Sequence, residues 1–330
     1  MIAPNFNDLR GNSERIHIHG HRGARGSLPE NTIKGFVSTF GMGVRIIELD
    51  ILATSDGIPV ITHNPQLMPF TTRYGDGCWL TEPGPRISSI SYEELLKFDI
   101  GGLKPNSEYA SLFPDQAFLH GLKIPKFEEL CTLITQSEYK DCWLNIEIKS
   151  DPRYPQNTPP IPDFVGLILR DIIKADIAKR VILQSFDWRV LHECANQCPD
   201  IPRSYLTYAQ KPNAPMAVNV YENSDWMAGL SLEQYSGSLP ELIAADGGKV
   251  WSPYFSDIND KDITRAKELG LVVNVWTVNE IADIDRMIEL EVDGIITDYP
   301  GRVQQRLVEQ GLSWAVSNAN NNGSTDTLIG

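Results

Sequence analysis

The chain has 330 residues, 42% apolar and 22% charged, enough for a sizeable core in one large domain or two ordinary ones. A formal net charge of −14 opposes general binding to nucleic acid or to an anionic membrane, so an anionic substrate needs a locally positive or metal-bearing pocket.

The first residues, MIAPNFNDLRGNSERI, carry neither a basic region nor an apolar h-region, so no signal peptide is expected. The longest apolar runs are strand-length, and no stable membrane insertion is expected. The five cysteines form an odd set without framework spacing, which points to reduced thiols in a cytoplasmic protein.

Strand-type runs follow one another at 16–20, 44–52, 58–62, 142–148, 181–185, 203–207, 249–252, 271–276 and 294–298. Helical patterns lie between them at 31–41, 126–137, 162–175, 188–197, 258–269, 279–289 and 300–311. In 279–289, Ile281, Ile284 and Ile288 share a face, and Asn279 predicts the N-cap. About eight βα units over roughly 250 residues predict a (β/α)8 TIM barrel, with an open doubly wound sheet as the alternative pattern. The turn-rich stretch at about 64–124, with one short helix near 91–97, reads as an insertion after the second strand. Residues 1–312 are then a single catalytic domain, and the polar end at 313–330 is expected to be a disordered tail.

In a parallel barrel, reactive groups sit at the C-terminal ends of the strands. The first strand runs into His21-Arg22-Gly23, the second carries Glu48 and Asp50, and the run after it ends in His63-Asn64. The 142–148 strand carries Glu147 and leads to Lys149. Later strands end in Gln184-Ser185, Asn274-Val275-Trp276 and Thr297-Asp298. Strand period two puts Glu48 with Asp50, and Glu147 with Lys149, on common faces.

Three carboxylates in one barrel mouth would not all ionise unless a cation joined them, so Glu48, Asp50 and Glu147 suggest an oxygen-only site for one divalent ion, Mg²⁺ or Ca²⁺. The plainer reading is strand-end carboxylates paired with Arg22 and Lys149. His21 and His63 form the natural acid–base pair, because imidazole titrates near neutrality. His17 and His19 share the face of His21 and read as supporting residues, while His120 and His192 read as structural. Arg22 and Lys149 supply the positive charge a phosphoryl group needs.

The stretches HRGARGSLPENT, ELDILATSDGIPVITHN and NIEIK resemble, in order and spacing, the three core motifs of the glycerophosphodiester phosphodiesterases. The resemblance covers roughly residues 16 to 312. It implies a TIM barrel with an insertion, a metal at Glu48, Asp50 and Glu147, acid–base histidines at His21 and His63, and phosphate contacts from Arg22 and Lys149. It further implies that Glu30 and Asn31 support these residues and that Trp276 lines the glycerol side. The implied reaction turns a small-molecule glycerophosphodiester into sn-glycerol 3-phosphate and an alcohol, by attack of water or of the substrate's neighbouring hydroxyl. The chain departs from the family pattern at His63-Asn64 (usually His-Asp), at Phe70 (usually basic) and at Lys126-Phe127 (usually Thr-Leu). Two alternatives share the same residues: a lysophospholipase D or related cyclising phospholipase, and a non-catalytic phosphate-ester binding protein.

Overall fold

A computed structural model describes residues 6–209 and 218–314. The strands are β1 (His17–His21), β2 (Ile46–Ala53), β3 (Pro59–Ile61), β4 (Arg73–Tyr74), β5 (Phe98–Asp99), β6 (Trp143–Ile148), β7 (Val181–Ser185), β8 (Arg203–Thr207), β9 (Val250–Pro253), β10 (Val272–Val275) and β11 (Gly294–Thr297). Eight of them, β1, β2, β6, β7, β8, β9, β10 and β11, are parallel neighbours in that order, and β1–β11 pairing closes the ring. The chain is therefore a TIM barrel.

The helices are α1 (Ile33–Gly41), α2 (Tyr92–Leu95), α3 (Glu108–Leu112), α4 (Phe127–Leu133), α5 (Ile161–Lys174), α6 (Trp188–Gln197), α7 (Leu239–Ala245), α8 (Asp260–Glu268), α9 (Ile281–Glu289) and α10 (Pro300–Glu309). Strand residues of one parity, such as Ile47, Leu49, Ile51, Ile146 and Ile148, face outward and pack on helix residues such as Phe127, Phe164 and Ile168. The other parity faces inward in layers. Ile46, Trp143, Ile182, Val250 and Val272 close the N-terminal end of the barrel beneath Leu9. Buried polar groups follow above them: His19 lies 3.4 Å from Asn145, and Ser204 pairs with Ser252 at 2.8 Å. Gly294 belongs to this layer, where an added Cβ would come 2.4 Å from Asn274 Oδ1 and 2.9 Å from His19 Nε2.

Three sequence expectations change. The run at 58–62 is not a barrel strand: β3 pairs antiparallel with the end of β2, with Ile51 opposite Ile61. A tight turn through Asp56-Gly57 joins them, too short for a parallel crossover. Asn279 does not cap α9. Glu280 holds that position, because the Asn279 amide is drawn away to Asp298. The pattern at 126–137 forms a helix only over Phe127–Leu133, and α7, which no periodicity marked, starts at Leu239 behind the Ser238 cap with Pro240 in its first turn.

Residues 62–125 leave and re-enter at one place. Ile61 N–H donates to Pro125 O at 2.9 Å, and Val60 bridges Lys126. This excursion contains β4, β5, α2 and α3 and leans over the C-terminal face of the barrel. Of the tail at 313–330, all beyond Trp314 lies outside the described residues.

Candidate active site

Strand register assembles the site. His21 stands beside Glu48 across β1–β2, Asp50 beside Glu147 across β2–β6, and Glu147 beside Gln184 across β6–β7. After β1 the chain turns sharply through Arg22 (φ 52°) and Gly23 (φ 92°). The left-handed backbone at Arg22 costs on the order of 1–2 kcal/mol. It brings the Arg22 N–H to Glu48 Oε2 at 3.1 Å. The segment Pro29-Glu30-Asn31-Thr32 can then be read residue by residue. Glu30 Oε1 accepts from Arg22 Nη1 at 2.7 Å, Asn31 Nδ2 donates to Asp50 Oδ2 at 2.9 Å, and Thr32 Oγ1 caps α1 by accepting from Gly35 N–H.

Glu48, Asp50 and Glu147 are buried, and each offers an oxygen within 4.8 Å of the others. Arg22 Nε lies 3.1 Å from Asp50 Oδ2, and Lys149 Nζ lies 3.0 Å from Asp50 Oδ1 and 2.8 Å from Glu147 Oε1. Burial, with the charges of Asp50 and Glu147, pushes Glu48 well above the usual carboxylate range. Burial opposes ionisation of Asp50 too, yet Lys149 and Arg22 outweigh it and hold that carboxyl well below its ordinary value. Burial raises Glu147 to about 7 against the pull of Lys149.

The residues present fit a divalent cation. Glu30, Glu48, Asp50, Glu147 and Asp298 face Arg22, Arg25 and Lys149, an excess of two negative charges that one such ion would cancel. Asp50 Oδ1, although close to Lys149, accepts no aligned hydrogen bond. An all-oxygen donor set suits Mg²⁺ or Ca²⁺.

Both histidines are held by their Nδ1 atoms. His21 Nδ1 lies 2.7 Å from Asp298 Oδ1, and His63 Nδ1 lies 3.1 Å from Asn64 Oδ1. Each acceptor selects the tautomer whose Nε2 carries the free lone pair. At His63 the departure from the family's His-Asp pair therefore keeps the acceptor and removes its charge. Burial lowers His21 to about 4, since Arg25 and Arg22 offset much of the pull of Asp298. Burial, with Arg22 and Lys149, holds His63 well below its ordinary value. Both rings are neutral at pH 7 as they stand.

Two contributors carry no spacing signal in the sequence. Gln184 Nε2 donates to Glu48 Oε1 at 2.9 Å. Asp298 receives His21, Arg25 (2.7 and 2.9 Å) and Asn279 (2.7 Å). Their positions at strand ends were visible; their partners were not. His17 and His19 lie in the barrel interior below the site, pushed down to about 4 and about 3, chiefly by burial. His192 pairs with Asp246 at 2.8 Å and His120 stands edge-on to Phe118, both away from the site.

Two cavities meet at these groups. One of about 260 Å³ is lined by His21, Arg22, Glu48, Leu206 and Trp276. Trp276 is fixed by its indole N–H to Ser252 O at 2.8 Å and stands edge-on to Phe186. The other, of about 510 Å³, opens beyond Leu52 and Pro65 toward Trp226, and both cavities share His63, Glu147, Lys149 and Phe186. Phe70 stacks on Tyr109 in the excursion, Lys126 lies over the Tyr92 ring, and Phe127 is part of the outer core, so none of these departures enters either cavity.

The fold and the sequence have relatives. A crystal structure of a Silicibacter pomeroyi protein bearing the glycerophosphoryl diester phosphodiesterase name is 40% identical, with a TM-score of 0.83, and covers 94% of this chain and 98% of its own. The glycerophosphodiester phosphodiesterase of Caldanaerobacter subterraneus is 29% identical over 283 residues, 86% of this chain and 94% of that protein. An Oleispira antarctica phosphodiesterase, solved with its product sn-glycerol-3-phosphate, shares the fold at 21% identity and a TM-score of 0.63, over 89% of this chain and 96% of its own. The model of the glycerophosphoryl diester phosphodiesterase family matches residues 21–302. With its closed barrel and three-carboxylate mouth, the chain belongs to that family and is a phosphoric diester hydrolase acting on glycerophosphodiesters.

Proposed function

We propose that the chain performs this hydrolysis with a bound divalent metal and two histidines, releasing sn-glycerol 3-phosphate. The observation that carries the reading is the convergence of His21, His63, Arg22, Lys149 and three buried carboxylates where two cavities meet. Glu48, Asp50 and Glu147 would hold Mg²⁺ or Ca²⁺, which supplies stabilisation of charge on the phosphoryl oxygens when bound.

The chain's own groups divide the remaining work. Arg22 and Lys149 flank the phosphate and oppose its charge. The glycerol half lies in the cavity walled by Trp276, whose 260 Å³ suits a three-carbon unit better than an acyl chain. The alcohol half extends into the larger cavity. His21 lines only the glycerol-side cavity of the two, while His63 lines both. His21 Nε2 therefore takes a proton from the attacking oxygen, that of water or of the glycerol's own neighbouring hydroxyl (in which case water then opens the cyclic phosphate), with Asp298 stabilising the imidazolium that forms. His63 Nε2 delivers a proton to the departing alkoxide as its bond to phosphorus breaks. Bound phosphate counters Arg22 and Lys149, which together with burial otherwise keep His63 neutral, and so favours the protonated ring that this step needs. Residues 1–312 act as one catalytic domain in this scheme. Among the described residues no helix is long and apolar enough to cross a membrane.

The test is glycerol 3-phosphate release from a panel of glycerophosphodiesters and lysophosphatidylcholine, with EDTA and then single-metal add-back. His21→Ala and His63→Ala should each lower turnover at least about 100-fold with the fold intact. Near wild-type rates in both variants would remove the acid–base roles.

A further inference from the structure

The 510 Å³ cavity has its own chemistry, and that chemistry bears on which alcohol leaves. It lies beyond His63, Glu147 and Lys149 from the glycerol side, so a diester with its phosphorus at the junction must place its second substituent there. Its floor is Leu52, Pro65, Phe186 and Trp226, and its rim is the stretch from Ser150 to Thr158 together with Arg86.

An aromatic site for a quaternary ammonium needs open ring faces. Here the rings of Trp226 and Tyr154 are covered. The Arg153 guanidinium lies 5.3 Å over the Trp226 ring and 5.6 Å from the Tyr154 ring. Asp151 fixes it with two hydrogen bonds, from Nε at 2.9 Å and from Nη2 at 2.6 Å. The one carboxylate on this rim is thereby spent on Arg153. Arg86 forms no ion pair among the described residues, so the rim is net positive in a chain of strongly negative charge. The side chains of Tyr154, Gln156 and Asn157 also line the cavity and hydrogen-bond to no other described residue. Guanidinium and amide groups without partners, over an apolar floor, match an alcohol that presents several hydroxyls along a carbon face.

We infer that this cavity selects the leaving alcohol and takes a polyol, neutral or anionic, in preference to a quaternary-ammonium alcohol. The inference rests on the hydrolytic reading above and adds the substrate class. In the cavity, Arg86, Gln156 and Asn157 donate to the polyol hydroxyls. The two guanidinium groups repel a trimethylammonium group, an unfavourable contact that separates the two classes.

The experiment compares kcat/KM for glycerophosphoinositol and glycerophosphoglycerol with that for glycerophosphocholine, using sn-glycero-3-phosphomethanol as a diester that leaves the cavity empty. The wild-type chain should favour the polyol esters at least about tenfold. Combining Arg86→Glu with Arg153→Glu should collapse or invert that ratio, mainly through KM, while the methyl ester is hydrolysed at near the wild-type rate. Equal or better use of the choline ester by the wild-type chain overturns the inference and leaves the hydrolytic reading standing. A ratio unmoved by the double substitution, with the methyl ester still hydrolysed, overturns it as well. Release of glycerol 3-phosphate from none of the esters overturns both.

Discussion

Asp298 Oδ1 lies 2.7 Å from His21 Nδ1, joining the last barrel strand to the first across the seam where the ring closes. The carboxylate accepts from the imidazole N–H and so leaves Nε2 as the atom that can take a proton. Asp298→Asn removes the charge that stabilises the imidazolium and, where its NH₂ rather than its oxygen faces Nδ1, also favours the opposite tautomer. Turnover should fall at least about 100-fold with KM nearly unchanged, read by steady-state kinetics. A variant of wild-type kcat would show that the tautomer is set elsewhere.

The same carboxylate makes stability depend on pH. Burial opposes its ionisation, but Arg25 and His21 outweigh it and hold Asp298 far below an unfolded value of about 3.9. Its contribution is therefore fully present above about pH 4 and shrinks as pH falls further toward the folded-state value. Urea unfolding at pH 7 should find Asp298→Asn less stable by about 3 kcal/mol, since Arg25 keeps a buried charge without its counter-ion. The gap between variant and wild type should close below pH 4. A gap constant from pH 7 to pH 3 would refute the linkage.

Metal binding should be visible without any substrate. At a free concentration of 100 times the dissociation constant, a ligand of the folded state alone adds about 2.7 kcal/mol. For a chain of this size that raises the melting temperature by roughly 5 °C, relative to EDTA. Glu48→Gln should remove the rise for both Mg²⁺ and Ca²⁺. An unchanged rise in that variant would place the ion elsewhere.

The Tyr109 phenol ties the excursion to the residues that support both catalytic sides. Tyr109 O–H donates to Glu30 Oε2 at 2.5 Å and accepts from Arg25 Nη1 at 3.1 Å. Glu30 holds Arg22 and Arg25 holds Asp298, so Tyr109 touches the supports of both the phosphate side and the proton side. Tyr109→Phe deletes only the hydroxyl and should reduce kcat about tenfold, the value of a hydrogen bond to charged groups. Combined with Glu30→Gln, the loss should be less than the sum of the two single losses. Strict additivity would mean that the phenol acts apart from Glu30.

The barrel was legible because inward and outward parities alternate along strands whose outer faces are plainly apolar. His21, Glu48, Asp50, Glu147 and Lys149 stood out for the same reason: charged residues sat where the pattern allowed none without a purpose. β3 has the same apolar pattern as a barrel strand, and only the Asp56-Gly57 turn before it tells that it folds back on β2. Asp298 and Gln184 were invisible as partners, since register across the ring joins residues 277 and 136 positions apart. Asn279 misled because a helix-capping residue and a carboxylate-holding residue look alike until the competing acceptor is known.

The clasp at Ile61–Pro125 and Val60–Lys126 gives the molecule a socket. Whatever is carried between those points begins and ends on adjacent chain, so its length and sequence can change without reopening the ring of strands. Grafting a different excursion at these joints is then a cut-and-paste operation. The graft has two conditions: it must keep His63 with its Nδ1 acceptor just past the first joint, and it must keep a hydroxyl where Tyr109 stands, because the host reaches up for it from two arms.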